Sequence, residues 1–130
     1  MVKISKDLQI GDTGVNLGSL ITYSETPQAI GFFPNGKPIY RKMYWFGALG
    51  SNAVTKVPLQ FEASKIRILN IYGTARNKSD GTTFPVTTAR KDSLSLGFGC
   101  FVTNDNYLNI ENGADRTNYD AYVFIEYINL

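Results

Sequence analysis

The segment TNDNYLNIENGADRTNYD, residues 103–120, gathers the side chains best suited to holding a sugar. Asp105 and Asn106 can exchange hydrogen bonds with hydroxyl groups, and the rings of Tyr107 and Tyr119 offer flat faces to the C–H groups of a sugar ring. With Asp115 they make up the candidate saccharide site: Asp105, Asn106, Tyr107, Asp115 and Tyr119. The same residue types also have a plainer use. Asn and Asp bond their own backbone and make turns, and tyrosines of an aromatic-rich β domain serve as rim or core packing.

Other chemistries find fewer residues. The chain has no histidine, which removes Ser-His-Asp and Cys-His nucleophiles and any imidazole zinc site. Two carboxylates could cleave a glycosidic bond, and Asp105, Glu111, Asp115 and Asp120 are available. Solvated loop acids are far commoner, so no enzyme activity is expected. The same acids, with Asn104, Asn106 and Asn112, are oxygen ligands of the kind calcium takes, but their spacing does not fit an EF-hand loop. No metal or other cofactor is expected. GFGCF, residues 97–101, lacks the third glycine and following helix of a phosphate cradle, and NKS at Asn77–Ser79 is a glycosylation sequon that a cytoplasmically made chain would not use.

Net charge is only +2, with Lys plus Arg at 13 and Asp plus Glu at 11, too little for a polyanion footprint. The basic residues are spread singly apart from Arg41-Lys42 and Arg90-Lys91, so no nucleic acid partner is expected. The start MVKISKDLQIGD has charges where a signal peptide needs an apolar core, and no apolar run approaches the roughly 20 residues that cross a bilayer. A chain made in the cytoplasm and not inserted in a membrane is expected. Its one cysteine, Cys100, lies in the apolar run LGFGCFV and reads as a buried thiol.

The elements that must position these residues are strands. Apolar residues alternate or come in short runs, and Gly, Pro, Asn and Asp interrupt the chain about every ten residues. An all-β fold is expected, with strands near residues 28–33, 38–46, 54–61, 64–74, 83–90, 93–103, 107–111 and 119–129, and a short N-terminal arm or hairpin over residues 1–19. FPNGK and Asp80-Gly81 are turn signals. Segment 103–120 reads as a loop-bearing edge. Alternation sets Ile66, Ile68 and Tyr72 on one face of their strand against Leu69 and Ile71 on the other. In YDAYVFIEYI both faces are apolar, so the second face calls for another chain or the N-terminal arm. In PIYRKMYWF, alternation groups Arg41 with Ile39, Met43 and Trp45, and Lys42 with Tyr40, Tyr44 and Phe46. Their stems are expected to cover that apolar surface while the heads reach water or a carboxylate of a neighbouring chain.

Residues 20–42, LITYSETPQAIGFFPNGKPIYRK, resemble a motif of the C-terminal head domains of bacteriophage tail-fibre and receptor-binding proteins. Tyr23, Ser24, Gln28, Ile30, Gly31, Phe33 and Asn35 match it, and the run from Gly36 to Lys42 is unbroken. FPV at residues 84–86 and the closing YVFIEYI resemble the family's layout. The chain departs from it around Phe32 and Phe33, where a Thr-Trp pair is common and only the aromatic character of Phe33 is kept, at Pro34 in place of an aliphatic residue, and in its ending. The resemblance implies an antiparallel β-sandwich, jelly-roll-like, with an arm or shoulder segment over 1–19 and the head domain over 20–130. It further implies a homotrimer at a phage or prophage tail tip, among other tail or baseplate proteins, synthesised in the bacterial host cytoplasm and attaching the virion to host cell-surface polysaccharide. A purely architectural virion protein and a two-carboxylate glycan hydrolase are the alternatives.

Overall fold

The computed structural model describes residues 23–86 and 97–130. Eight strands form among them, in chain order β1 (Gln28–Phe32), β2 (Pro38–Ala48), β3 (Ser51–Pro58), β4 (Ile66–Asn77), β5 (Thr83–Pro85), β6 (Phe98–Thr103), β7 (Tyr107–Asp115) and β8 (Tyr119–Asn129). One 3-10 turn spans Ala63–Lys65. The strands make two antiparallel sheets, ordered β1-β2-β8-β4-β5 and β3-β7-β6. The fold is therefore an all-β sandwich. The arm expected over 1–19, residues 87–90 of one expected strand and 93–96 of the next lie outside the described residues.

The turn residues act as their chemistry requires. Gly36, at φ 86, lets its N–H reach the Phe33 carbonyl at 2.8 Å, while Asn35 Oδ1 accepts the Lys37 N–H at 3.0 Å. Gly81 takes φ 81, and Asp80 Oδ1 beside it accepts the Thr82 N–H at 2.8 Å. The strand expected over 54–61 ends earlier, at Pro58, because proline supplies no N–H to the ladder. Beyond it Gln60 adopts φ 74, which turns the chain toward the 3-10 turn.

Between the sheets lie Tyr44, Phe46, Leu59, Ala75, Phe98, Leu108, Ile110, Val123, Ile125 and Tyr127. The buried Tyr44 hydroxyl donates to the Leu59 carbonyl at 2.8 Å, so the core contains a satisfied polar group rather than an orphan. One face assignment differs from simple alternation. β4 carries a bulge between Ile68 and Asn70, so Ile68 pairs with Tyr127, Ile71 with Ile125 and Tyr72 with Phe124. The extra residue at Leu69 reverses the parity. Ile66, Ile68 and Ile71 thus share the inner face, and Tyr72 moves outward.

That outer face of the larger sheet is apolar along β8, and the protein's own rings cover part of it. Phe124 is buried under Tyr23 at 4.4 Å, Tyr72 at 5.2 Å and Tyr122 at 5.5 Å between ring centroids, with the Arg41 guanidinium 5.6 Å away. The Tyr72 hydroxyl donates to Glu126 at 2.7 Å. Trp45 on the same face stays half exposed.

Cys100 on β6 is buried, and desolvation pushes its thiol from 9.0 up to about 12. Between those values the unfolded chain gives up a proton that the folded chain keeps, so this thiol makes stability fall as pH rises, by up to about 1.4 kcal/mol per pH unit. Burial also raises Tyr44, which acts in the same sense at higher pH. Lys42, lowered by burial, acts oppositely below its ordinary value. Urea unfolding of wild type and Cys100→Ala at pH 8 and pH 10.5 isolates the thiol: the variant is expected to lose less stability over that interval.

Candidate functional site

β6 and β7 are joined by a turn whose ends, Thr103 and Tyr107, face each other across the ladder. Asn106 closes it at φ 70, a left-handed conformation that asparagine tolerates better than most residues, with its N–H donating to the Thr103 carbonyl at 3.0 Å. The turn is then fastened to the chain beyond β3. Asn106 Oδ1 accepts the Ala63 N–H at 2.8 Å, and its carbonyl accepts the Leu59 N–H at 2.9 Å. Both acceptors of Asn106 are thereby used for structure, and its side-chain N–H₂ is what it can offer a ligand.

Around this turn lies an open cleft of about 430 Å³, lined by Glu62, Ala63, Ser64, Val102, Thr103, Asn104 and Asn106. Beside it Asp105 is exposed. The Thr103 hydroxyl donates to Asp105 Oδ1, and Lys56 Nζ lies 3.6 Å from Oδ2. The Thr103 hydrogen bond, with the Lys56 charge, holds this carboxyl below its ordinary range, so it is ionised at neutral pH. The Tyr107 ring is 37% exposed and carries the Lys56 ammonium 5.3 Å from its centroid. β3 explains that placement: Lys56 pairs with Asn109 and Pro58 with Tyr107, which sets Lys56 diagonally across from Tyr107 on the outer face of the smaller sheet.

Three of the five expected ligands, Asp105, Asn106 and Tyr107, therefore meet in one turn. The other two do not. Segment 103–120 is mostly strand, because β7 runs through it as the middle strand of its sheet. At about 3.3 Å per residue, its nine residues put Asp115 roughly 26 Å from Tyr107. Asp115 there accepts the Thr117 N–H at 3.0 Å and the Thr117 hydroxyl at 2.8 Å, bonds that hold its carboxyl low. Tyr119 is a core residue, 7% exposed, with its ring against Phe84 and Phe98 and its hydroxyl accepting from Arg116 Nη1 at 3.2 Å. A buried ring with an engaged hydroxyl presents nothing to a sugar. Among the described residues, no three of Cys, Asp and Glu converge as a metal site.

Residues that sequence alone did not assign to this turn and its cleft include Lys56, beside Asp105 and Tyr107, and Glu62, Ser64 and Thr103 in the cleft wall. Thr103 adjoins the expected cluster in the chain. The others arrive through the pairing of β3 with β7 and the bond from Ala63 to Asn106 across 43 residues, contacts that leave no local pattern. No family model, no curated protein and no solved structure matches the chain.

Proposed function

We propose that the chain is a saccharide-binding head domain of a bacteriophage or prophage tail tip, attaching the virion to host cell-surface polysaccharide as a homotrimer beside other tail or baseplate proteins. The tail-tip assignment draws on the resemblance of residues 20–42. The observation that carries the binding reading is the β6–β7 turn, which offers an ionised carboxylate, a half-exposed aromatic face and an ammonium beside an open cleft. Asp105 would accept from sugar hydroxyls, Tyr107 would take the apolar face of a ring, and Lys56 would donate once displaced from Asp105. Each such site would be weak, and a trimer would multiply it into avidity.

Binding to glycan arrays and to whole host cells tests this reading. Asp105→Ala and Tyr107→Ala are each expected to weaken binding at least tenfold, about 1.4 kcal/mol, with unchanged thermal unfolding. Asp115→Asn, at the far end of β7, is expected to bind as wild type does. An unaffected Asp105→Ala, Tyr107→Ala double variant would remove the turn from consideration. An architectural role is the second reading, favoured by the exposure of Tyr23 at 66%, Phe32 at 76% and Trp45 at 51%, apolar surface that another chain could cover. A trimer that binds no glycan would select it.

A further inference from the structure

Lys42 stands where an ammonium is costly. It lies on the inner face of β2 and is 4% exposed, so its head does not reach water as expected from the sequence. Nζ donates to Gln60 Oε1 and lies 4.1 Å from the Tyr44 ring centroid. The Tyr44 hydroxyl is committed to the Leu59 carbonyl, and among the described residues no carboxylate lies within ion-pairing distance of Lys42. Glu25 acts on it only through space. A buried cation whose direct partners are a neutral amide and a ring retains unused donors and a charge that Glu25 offsets only from a distance.

The space beside it is open. A cleft of about 410 Å³ is lined by Lys42, Glu25, Met43, Trp45, Pro58 and Gln60, with Tyr44 and Val57 behind. Trp45, the chain's single tryptophan, is half exposed at its rim. Gln60 meets Lys42 from a left-handed backbone, φ 74, that glutamine disfavours. The chain from Val57 to Ser64 gives walls to both this cleft and the one at the β6–β7 turn.

We propose that this second cleft is a subsite for an acidic sugar, whose carboxylate or phosphate ester pairs with the Lys42 ammonium, with Trp45 at the rim. The anion supplies the direct counter-charge that Gln60 cannot, through a charge-assisted hydrogen bond. Glu25 on the same wall accepts from the sugar's hydroxyls and disfavours ions of higher charge. Lowering of the Lys42 pKa by burial agrees with an ammonium short of a partner. The ligand class rests on the saccharide-binding reading, but the anion contact does not involve the Asp105 turn.

Trp45 is a built-in reporter. Its fluorescence, titrated with glucuronate, with glucose 6-phosphate and with glucose, is expected to respond saturably to at least one acidic sugar and at least tenfold more weakly to glucose. Which acid binds distinguishes carboxylate from phosphate as the source of charge. Lys42→Met is expected to weaken that binding at least tenfold and Lys42→Arg to retain most of it, while Asp105→Ala leaves it unchanged. Equal responses to glucose and both acids, or no saturable response to any, would overturn the proposal on wild-type protein alone, even if Lys42→Met failed to fold. A protein that binds host polysaccharide through the Asp105 turn yet ignores both acids would overturn this subsite and leave the proposed function standing. Loss of both would overturn the two together.

Discussion

Gly73→Ala is expected to destabilise the fold severely. A Cβ at that position would sit 2.1 Å from the Tyr122 carbonyl oxygen, 2.8 Å from Val123 Cα and 3.0 Å from the Tyr122 carbonyl carbon. All three are backbone atoms, so no rotamer change relieves the overlap. Gly73 lies in the middle of the β4–β8 ladder, opposite Val123, and its carbonyl also accepts the Val86 N–H at 2.9 Å. β8 is the central strand of the larger sheet, so relief requires β4 and β5 to move off it together. The cost is expected to exceed about 4 kcal/mol, against a total stability of about 5–15 kcal/mol for domains in general. Gly31→Ala is the control, since a Cβ there meets nothing within 4 Å; it is expected to change stability by less than about 1 kcal/mol. Urea denaturation and soluble yield measure both. A Gly73→Ala protein of near wild-type stability would mean that β4 and β8 do not pair in this register.

The larger sheet shows how far alternation reads. In β2 it separates Lys42, Tyr44 and Phe46 from Arg41 and Trp45, and the burial pattern agrees. In β4 the same rule fails after Ile68, because a bulge adds a residue that no side-chain pattern announces. The turns at Asn35-Gly36 and Asp80-Gly81 are legible because only a few residue types adopt their backbone.

The site is legible in part, for related reasons. Asp105, Asn106 and Tyr107 are neighbours in the chain, and a turn keeps neighbours together. Their partners come from β3 and the 3-10 turn, through pairings set by the whole sandwich. The polar composition that made 103–120 look like a loop has a different origin. Asn109 and Asn112 are buried within β7, where Asn109 donates to the Phe101 carbonyl at 3.3 Å and Asn112 to the Gly50 carbonyl at 2.9 Å. A buried asparagine bonded to backbone and a loop asparagine are the same letter. Lys42 presents a similar ambiguity: its stem follows alternation, but Gln60, 18 residues on, decides where its head goes.

Phe98→Ala is expected to cost about 3–5 kcal/mol, as removal of a fully buried aromatic ring does. Phe98 is 1% exposed at the start of β6, with its ring 5.9 Å from Phe84 and 5.8 Å from Tyr119. The Arg116 guanidinium lies 5.1 Å from the Phe98 centroid, 5.3 Å from Phe84 and 4.9 Å from Tyr119. Three rings thus surround one cation and join both sheets, since β5 and β8 belong to the larger and β6 to the smaller. Cation–π contacts that exclude water are worth up to about 2 kcal/mol, so part of the loss belongs to Arg116. A double-mutant cycle separates that part: Phe98→Ala and Arg116→Met are expected to be non-additive by about 1 kcal/mol in urea unfolding. Phe98→Leu, which keeps apolar volume but no ring, is expected to fall between wild type and Phe98→Ala while retaining little of the coupling. Additive losses would show that the guanidinium gains nothing from the rings. The cage is also why Tyr119 serves the core. With Asp115 it stands at the far end of β7 from the Asp105 turn, so Phe98→Leu is expected to leave glycan binding unchanged at temperatures where it is folded.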